Sequence, residues 1–278
     1  LAAIDSYGSA TSWNPSESAF GYINSIAVSG SDVYVAGNFW TIGGKERKYL
    51  AALNAATGLA TNWNPNANSY GSTSANTISI SGSNFFAGGG FDSIGGSDLR
   101  DYLAAIDTTT GLLTTWNPGA DQSVTKIIAG ESSLYVGGEF TKIDGQNRNY
   151  IAELALTTGT VTSWNPNANS SVYDIAVNGT NIYVGGYFTN IGGQAKKYLA
   201  KIDALSGTAS SWNPNPNGNV LKILLNGNKV YIAGNFSLIG GQARNYLAEL
   251  DNNIGFASSW KPNPNNSVYA MSLSEQYL

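Results

Sequence analysis

The chain has 278 residues, a formal net charge of −4 at pH 7 and a sequence pI near 4.8. It contains neither Cys nor His, which excludes disulfides, thiol nucleophiles, Cys-based zinc sites and histidine general bases. No basic patch suggests a nucleic-acid partner, and no apolar run reaches the roughly 20 residues of a membrane helix. The sequence predicts no nucleic-acid binding, no membrane insertion, no cofactor and no metal site.

A Trp-x-Pro motif recurs six times, at intervals of 48 to 53 residues. The copies are Trp13-Asn14-Pro15, Trp63-Asn64-Pro65, Trp116-Asn117-Pro118, Trp164-Asn165-Pro166, Trp212-Asn213-Pro214 and the variant Trp260-Lys261-Pro262. Repeats of this length cannot each bury a hydrophobic face alone, so they predict a stacked or radial repeat architecture. The 33 Gly residues and 12% charged residues are typical of a turn-dense, all-β protein.

One repeat shows the predicted elements in chain order. Ser171–Val177 alternates as a strand, Asn178-Gly179 is a hairpin turn, and Asn181–Gly186 forms the second strand. A longer connection leads to a third strand, Tyr198–Asp203, and after an Asx-type turn Thr208–Trp212 forms the fourth. Four antiparallel strands in about 48 residues are typical of a propeller blade, whereas a solenoid or a helical repeat would show a different period.

The repeat count predicts six blades. The strand-one apolar residue recurs at Ile26, Ile78, Ile127, Ile175, Ile223 and Met271, and the strand-three residue at Leu1, Leu50, Leu103, Ile151, Leu199 and Leu247. Since the chain opens at strand three and closes in strand two, N- and C-terminal half-blades would combine into the sixth blade and remove free sheet edges. We expect one all-β domain over residues 1–278, a six-bladed β-propeller of four-stranded antiparallel blades. We also expect a native polypeptide that extends beyond both ends.

The repeat resembles known propeller families. The residues that carry the kelch-like part are Val184-Gly185-Gly186, Ile202-Asp203, Gly207 and Trp212. The fuller pattern, which resembles bacterial delta-sixty repeats, adds Phe188, Ile191-Gly192-Gly193, Lys196, Tyr198-Leu199-Ala200 and Asn213-Pro214. The resemblance covers essentially the whole chain and implies a propeller of the kind found in large bacterial surface and secreted proteins. It implies no particular activity.

Three sets of repeated residues have both a functional and a structural interpretation. The tryptophans could stack on sugars, but a large aromatic in every repeat is more often a wedge between blades. The cations Arg47, Arg100, Arg148, Lys196 and Arg244 could ring an acidic ligand, but their repetition favours a structural tether. Asp5, Asp107, Asp203 and Asp251 could ring a metal, but Ala155 breaks the register and an Asx turn explains them better.

The positions that break the repeat are the candidate binding site. The loops before Ile26 and Ile78 are lengthened, and so is the loop that contains Asp98. These insertions in two adjacent blades bring in the aromatic residues Phe20, Tyr22 and Tyr70, and Trp40 belongs to the same face. Because loops on a rigid scaffold usually carry binding function, Phe20, Tyr22, Trp40, Tyr70 and Asp98 are the predicted ligand-binding residues. Neutral drift of loop length is the alternative.

These observations predict a non-enzymatic binding or structural module of an extracellular or cell-surface bacterial protein. Its partner would be a protein or a glycan on the long-loop face, and the module would belong to a larger chain or assembly. No nucleophile elbow, phosphate-binding loop or calcium-loop motif is present. The alternative is a carbohydrate-active hydrolase in which two carboxylates meet near the propeller channel.

Overall fold

The computed structural model describes residues 1–16, 21–67, 74–95 and 98–273. Within these ranges the regular secondary structure is entirely β, in five successive units. Each unit combines a three-stranded antiparallel sheet with a short hairpin of two-residue strands. No described residue belongs to a helix with the length and apolar character needed to cross a membrane.

The strands of the five units are as follows. The first unit contains β1 (Tyr22–Ser29), β2 (Asp32–Asn38), β3 (Thr41–Ile42), β4 (Lys45–Glu46) and β5 (Leu50–Asn54). The second contains β6 (Ala75–Ser81), β7 (Asn84–Gly89), β8 (Ser93–Ile94), β9 (Asp98–Leu99) and β10 (Leu103–Asp107). The third contains β11 (Val124–Ala129), β12 (Ser133–Gly138), β13 (Lys142–Ile143), β14 (Gln146–Asn147) and β15 (Ile151–Ala155). The fourth contains β16 (Val172–Asn178), β17 (Asn181–Gly186), β18 (Asn190–Ile191), β19 (Gln194–Ala195) and β20 (Leu199–Asp203). The fifth contains β21 (Val220–Asn226), β22 (Lys229–Gly234), β23 (Leu238–Ile239), β24 (Gln242–Ala243) and β25 (Leu247–Asp251).

The predicted strands one to three are present, but the predicted fourth strand is much shorter than expected. In the fourth unit β17 pairs with β16 on one side and β20 on the other. Beyond β20, Thr208–Trp212 contributes only the isolated bridge between Ile202 and Ala209. The Trp212 amide then donates to the Ser210 hydroxyl, and the chain leaves the sheet. The Ala209 amide instead donates to the Gly192 carbonyl of the hairpin, which covers this edge.

The hydrophobic core lies between neighbouring units. The cluster between the third and fourth units brings Tyr135 and Trp164 of one against Val172 and Ile175 of the next. Equivalent clusters lie between the first and second, second and third, and fourth and fifth units. Each unit is therefore stabilised by its neighbours, as expected for a repeat protein, because one unit alone would leave its apolar face exposed.

The first strands of consecutive units lie side by side, β1 beside β6, β6 beside β11, β11 beside β16 and β16 beside β21. The predicted sixth blade does not form a sheet within the described residues. The N-terminal segment contributes one bridge, between Ile4 and Ala10, and residues 264–273 belong to no strand. Ile26 is consequently 49% exposed, whereas the equivalent Ile175 is 1% exposed against the preceding unit.

Candidate functional site

Four of the six repeated tryptophans are buried between units, as the core-wedge interpretation predicted. Trp63, Trp116, Trp164 and Trp212 are each at most 5% exposed, which confirms that interpretation. Each ring contacts a strand-two aromatic edge-on, as Trp164 does with Tyr135 at 5.3 Å between centroids. Each indole N–H also crosses to the next unit, where that of Trp164 donates to the Asp203 carbonyl at 3.0 Å. These side chains have no free face for a sugar.

The repeated cations are tethers. Arg47 is 8% exposed and donates to the carbonyls of Glu46 and Thr61, which ties the hairpin to the segment that follows β5. Arg100, Arg148 and Arg244 form the same pair of bonds in their own units. Lys196, 4% exposed, donates instead to the Trp212 carbonyl. The terminal N–H groups of these side chains donate to backbone carbonyls, which supports the tether interpretation over a ring for an acidic ligand.

The tyrosine two residues after each cation adopts left-handed backbone. Tyr49, Tyr102, Tyr150, Tyr198 and Tyr246 have φ between 61° and 64°. At Tyr49 and Tyr198 the flanking residues close a tight turn, with Leu50 N–H donating to the Lys48 carbonyl and Leu199 N–H to that of Lys197. Left-handed backbone costs a bulky residue about 1–2 kcal/mol. Tyr49 is 6% exposed within the cluster between units one and two, so burial of the ring offsets this strain.

The repeated aspartates form Asx turns, which confirms the structural interpretation. The Asp203 carboxylate accepts from the amides of Leu205 and Ser206 and from the Ser206 hydroxyl. Hydrogen bonds from Ser206 lower the pKa of Asp203, and bonds from Thr110 do the same at Asp107. No group of three or more Asp or Glu side chains is arranged to hold a metal among the described residues.

A clamp that sequence reasoning missed joins loop and hairpin in units three to five. Asn169 accepts from the amides of Thr189 and Asn190, and Asn217 accepts from Ser237 and Leu238 in the same way. Asp121 is the third member, with the Thr141 hydroxyl and two amides as donors. Burial raises the pKa of the Asp121 carboxyl, but these hydrogen bonds outweigh burial and lower it overall. The signal in the sequence was an Asp or Asn five residues after each of these tryptophans.

Tyr22 and Trp40 are exposed at one end of the first unit. Tyr22 opens β1 opposite Asn38, two residues before Trp40, so register places both aromatic residues at the same sheet end. Tyr22 is 52% exposed and Trp40 57% exposed. The Lys48 ammonium lies 5.1 Å from the centre of the Trp40 ring and 3.6 Å from the Glu46 carboxylate. The exposed aromatic surface therefore has a charged rim.

The other predicted site residues are less fully described. Phe20 and Tyr70 lie outside the described residues. Asp98 begins β9, opposite Ile94 in the hairpin of the second unit. Its side chain is not among the described parts of the structure. The assignment of these three residues to a common site with Tyr22 and Trp40 remains a prediction. Tyr187, 57% exposed, is an aromatic at the same end of the fourth unit that sequence reasoning missed.

A cavity of about 400 Å³ lies where the inner strands meet. Its lining includes one residue from each first strand: Asn24, Asn76, Thr125, Tyr173 and Leu221. Lys222, Tyr269 and Ala270 complete part of the wall. The described lining contains no Asp or Glu side chain, so it presents no pair of carboxylates. Sequence reasoning named the channel but none of these residues, because their spacing alone does not show which side chains point inward.

Three stretches of the chain match one family model, described as a domain of unknown function (DUF5122) that forms a β-propeller. The matched residues are 127–161, 181–209 and 226–253, about a third of the chain. They fall in the third, fourth and fifth units, whose repeats are the most regular. No curated protein matched the sequence.

Solved structures with a similar fold include natural and designed proteins. The computationally designed protein Ika8 has a TM-score of 0.57 at 12% identity, over 95% of this chain and 81% of Ika8. The RRP9 WD40 repeats have a TM-score of 0.58 at 11% identity, over 86% of this chain and 63% of theirs. The extracellular domain of BT4673 from B. thetaiotaomicron has a TM-score of 0.53 at 12% identity, over 85% of this chain and 27% of that one. Because WD40 repeats form propellers, these similarities assign a propeller-type, all-β fold.

Proposed function

We propose that this chain is a non-enzymatic binding module of a secreted or cell-surface bacterial protein. Its partner docks at the end of the first unit that carries Tyr22 and Trp40, with the neighbouring loops that contain Phe20, Tyr70 and Asp98. The observation that carries the proposal is the exposure of Tyr22 and Trp40, each more than half exposed. The rigid sheet below them would hold this surface in place.

The repeat itself shows that the scaffold does not require these two aromatic residues. The positions equivalent to Tyr22 are Ser74, Ser123, Ser171 and Asn219. The positions equivalent to Trp40 are Asp92, Thr141, Thr189 and Ser237. Small polar residues therefore suffice at both places in the other units. Exposed Tyr and Trp, which supply contact area at low entropic cost, support a recognition role in the first unit.

The surroundings of Trp40 favour a protein as the partner. Lys48 lies over the Trp40 ring, and Glu46 is 73% exposed beside it. An aromatic anchor within a rim of both charge signs is typical of protein interfaces. A glycan would need an open ring face for stacking, and Lys48 occupies one face of Trp40. Glycan recognition is the outcome that the binding experiment distinguishes.

The scaffold in this proposal is a six-bladed propeller whose ring closes through the N- and C-terminal segments. Trp13 in the N-terminal segment already donates to the Asn54 carbonyl at 3.2 Å, the same kind of bond that joins the other units. Tyr269 and Ala270 line the same cavity as Asn24 of the first unit. These two observations support closure. An extracellular location and the absence of enzymatic activity are parts of the same proposal.

The test removes the aromatic surface without disturbing the sheet. The double variant Tyr22→Ser and Trp40→Thr installs residues that the other units carry at these positions. Parent and variant are immobilised and compared for retention of cell-envelope proteins from the source bacterium, and both are applied to a glycan array. Leu205→Ala, which truncates a 91% exposed residue of the fourth unit, is the matched control.

We expect the parent and Leu205→Ala to retain the same envelope protein and the double variant to retain at least tenfold less. Undiminished retention by a folded double variant would move the site elsewhere. Binding of the parent to glycans, with no retained protein, would replace the protein partner with a glycan.

A further inference from the structure

The central cavity is lined through a repeated backbone irregularity. In each inner strand the register skips one residue, and the five skipped residues are Asn24, Asn76, Thr125, Tyr173 and Leu221. All five line the cavity. A β-bulge leaves its extra residue out of the ladder and redirects the side chain, and bulges are common beside binding sites. The bulge therefore turns one side chain per unit toward a common space.

The first three bulge residues form hydrogen bonds that hold neighbouring inner strands together. Asn24 donates its amide N–H to the Ala75 carbonyl at 3.1 Å, and Asn76 donates to the Val124 carbonyl at 3.0 Å. The Thr125 hydroxyl donates to the Val172 carbonyl in the next strand. In each case a short polar side chain bridges from one inner strand to the next. This is the structural role of the position.

The fourth and fifth bulge residues have no such role. Leu221 has no polar group, and no hydrogen bond to the following strand is formed by Tyr173 within the described part of the chain. Both are larger than the residues at the equivalent positions of the other units, and they line the same cavity as Tyr269. The fourth and fifth units thus have the same bulge as the others, but the bulge residue is no longer a short polar one. The bulge residues of units one to three are polar, whereas those of units four and five are aromatic and apolar.

Lys222 supplies a positive charge on the apolar side. Its equivalent two units earlier, Lys126, forms an ion pair with Asp174 of the following strand at 2.8 Å. For Lys222, the position equivalent to Asp174 is Ala270, which has no charge. No carboxylate of the described residues pairs with Lys222. Lys222 is a partly buried residue, and a lysine in a cavity wall without a carboxylate partner favours binding of an anion, because the anion supplies the opposite charge.

We propose that the cavity binds a small organic carboxylate, with Lys222 holding the carboxylate and Tyr173, Leu221 and Tyr269 contacting an apolar or aromatic body. A volume of about 400 Å³ lies within the usual range for small-molecule sites. Asn24 and Asn76 line the same cavity and supply part of its polar surface. This site is separate from the surface at Tyr22 and Trp40 and does not depend on it.

The probe for this site is benzoate, with benzamide as its neutral isostere. Binding is measured by protein-observed NMR titration or calorimetry at low ionic strength. We expect the parent to bind benzoate with a Kd on the order of 1 mM or tighter, the range for a small ligand with one charge contact. Benzamide should bind at least tenfold more weakly. No saturable binding of benzoate by the parent overturns the proposal, as does equal affinity for the two probes.

Two variants locate the site. Lys222→Met removes the charge but keeps the length of the side chain, and should weaken benzoate binding at least tenfold. Lys142→Met, at an exposed position in the hairpin of the third unit, is the control and should leave affinity unchanged. Leu221→Trp fills the cavity and should abolish binding even with Lys222 intact. Trp40→Thr should bind benzoate like the parent. Unchanged affinity in folded Lys222→Met or Leu221→Trp contradicts the assignment.

Discussion

Residues that recur at the same position in every unit lie in a different environment from residues that occur in one unit only. Trp164 is 3% exposed, contacts Tyr135 and donates to the next unit, whereas Trp40 is 57% exposed. Repetition at a fixed register indicates packing, because the same neighbour recurs at every interface. The chemically distinctive residues are those that interrupt the repeat. The same criterion selects Tyr22, Trp40, Tyr173, Leu221 and Lys222.

Replacing a repeated tryptophan should act on stability. We expect Trp164→Ala to lower the free energy of unfolding by about 3 to 5 kcal/mol, since it removes a buried aromatic and one of the two hydrogen bonds to the Asp203 carbonyl. Urea denaturation measures the change. Trp40→Ala makes the same chemical change at an exposed position and should stay within about 1 kcal/mol of the parent. Equal losses in the two variants would mean that Trp164 is not a core residue.

Strands and turns were predictable where the determinants are local. Alternation and turn residues predicted β17 and β20 almost to the residue, and the Asp-to-Gly spacing predicted the Asx turn at Asp203. The hairpin strands and the bulges were not predictable. A two-residue strand has too short a pattern to detect, and a bulge depends on the neighbouring inner strand. The length of the fourth strand was overestimated because the sequence pattern does not show where the chain leaves the sheet before Trp212.

The Asx turns make the free energy of unfolding depend on pH in the acid range. Hydrogen bonds from Ser206 hold the pKa of Asp203 below its ordinary value, so the folded state favours the ionised carboxylate. This contribution is present at pH values above the unfolded pKa, about 4, and is lost as pH falls through the folded pKa.

The variant Asp203→Asn keeps the acceptor oxygen, as Asn54 does in the first unit, but cannot titrate. We therefore expect its Tm to fall less than that of the parent between about pH 7 and pH 2.5. The reciprocal variant Asn54→Asp should show a larger fall. Thermal unfolding followed by circular dichroism at the two pH values measures both. Identical falls in all three proteins would rule out a role of this turn in the acid response.

The whole molecule depends on how neighbouring units contact each other. The tryptophan motif of one unit contacts the turn of the next, and a side-chain carbon placed at Gly58 would lie 3.4 Å from the Pro15 nitrogen. The repeat predicted six blades and a propeller-type fold, and five units with that fold are present among the described residues. The described sheets do not close, however, and closure depends on the chain's end segments packing together. Both proposed sites depend on the arrangement of these units, since their first strands line the cavity and the first unit carries Tyr22 and Trp40.

Ring closure can be measured by cross-linking, because these 278 residues contain no Cys. In the closed ring, Tyr7 before the turn glycine and Lys261 of the last motif would be neighbours. The equivalent pair is Thr57 and Asn14, since Gly58, which follows Thr57, lies against Asn14 of the N-terminal segment. A double variant with Tyr7→Cys and Lys261→Cys is treated at high dilution with a short bifunctional maleimide. The pair Thr57→Cys and Asn14→Cys is the positive control. A closed propeller predicts similar intramolecular cross-link yields for the two pairs by mass spectrometry; cross-linking of the control pair alone would contradict it.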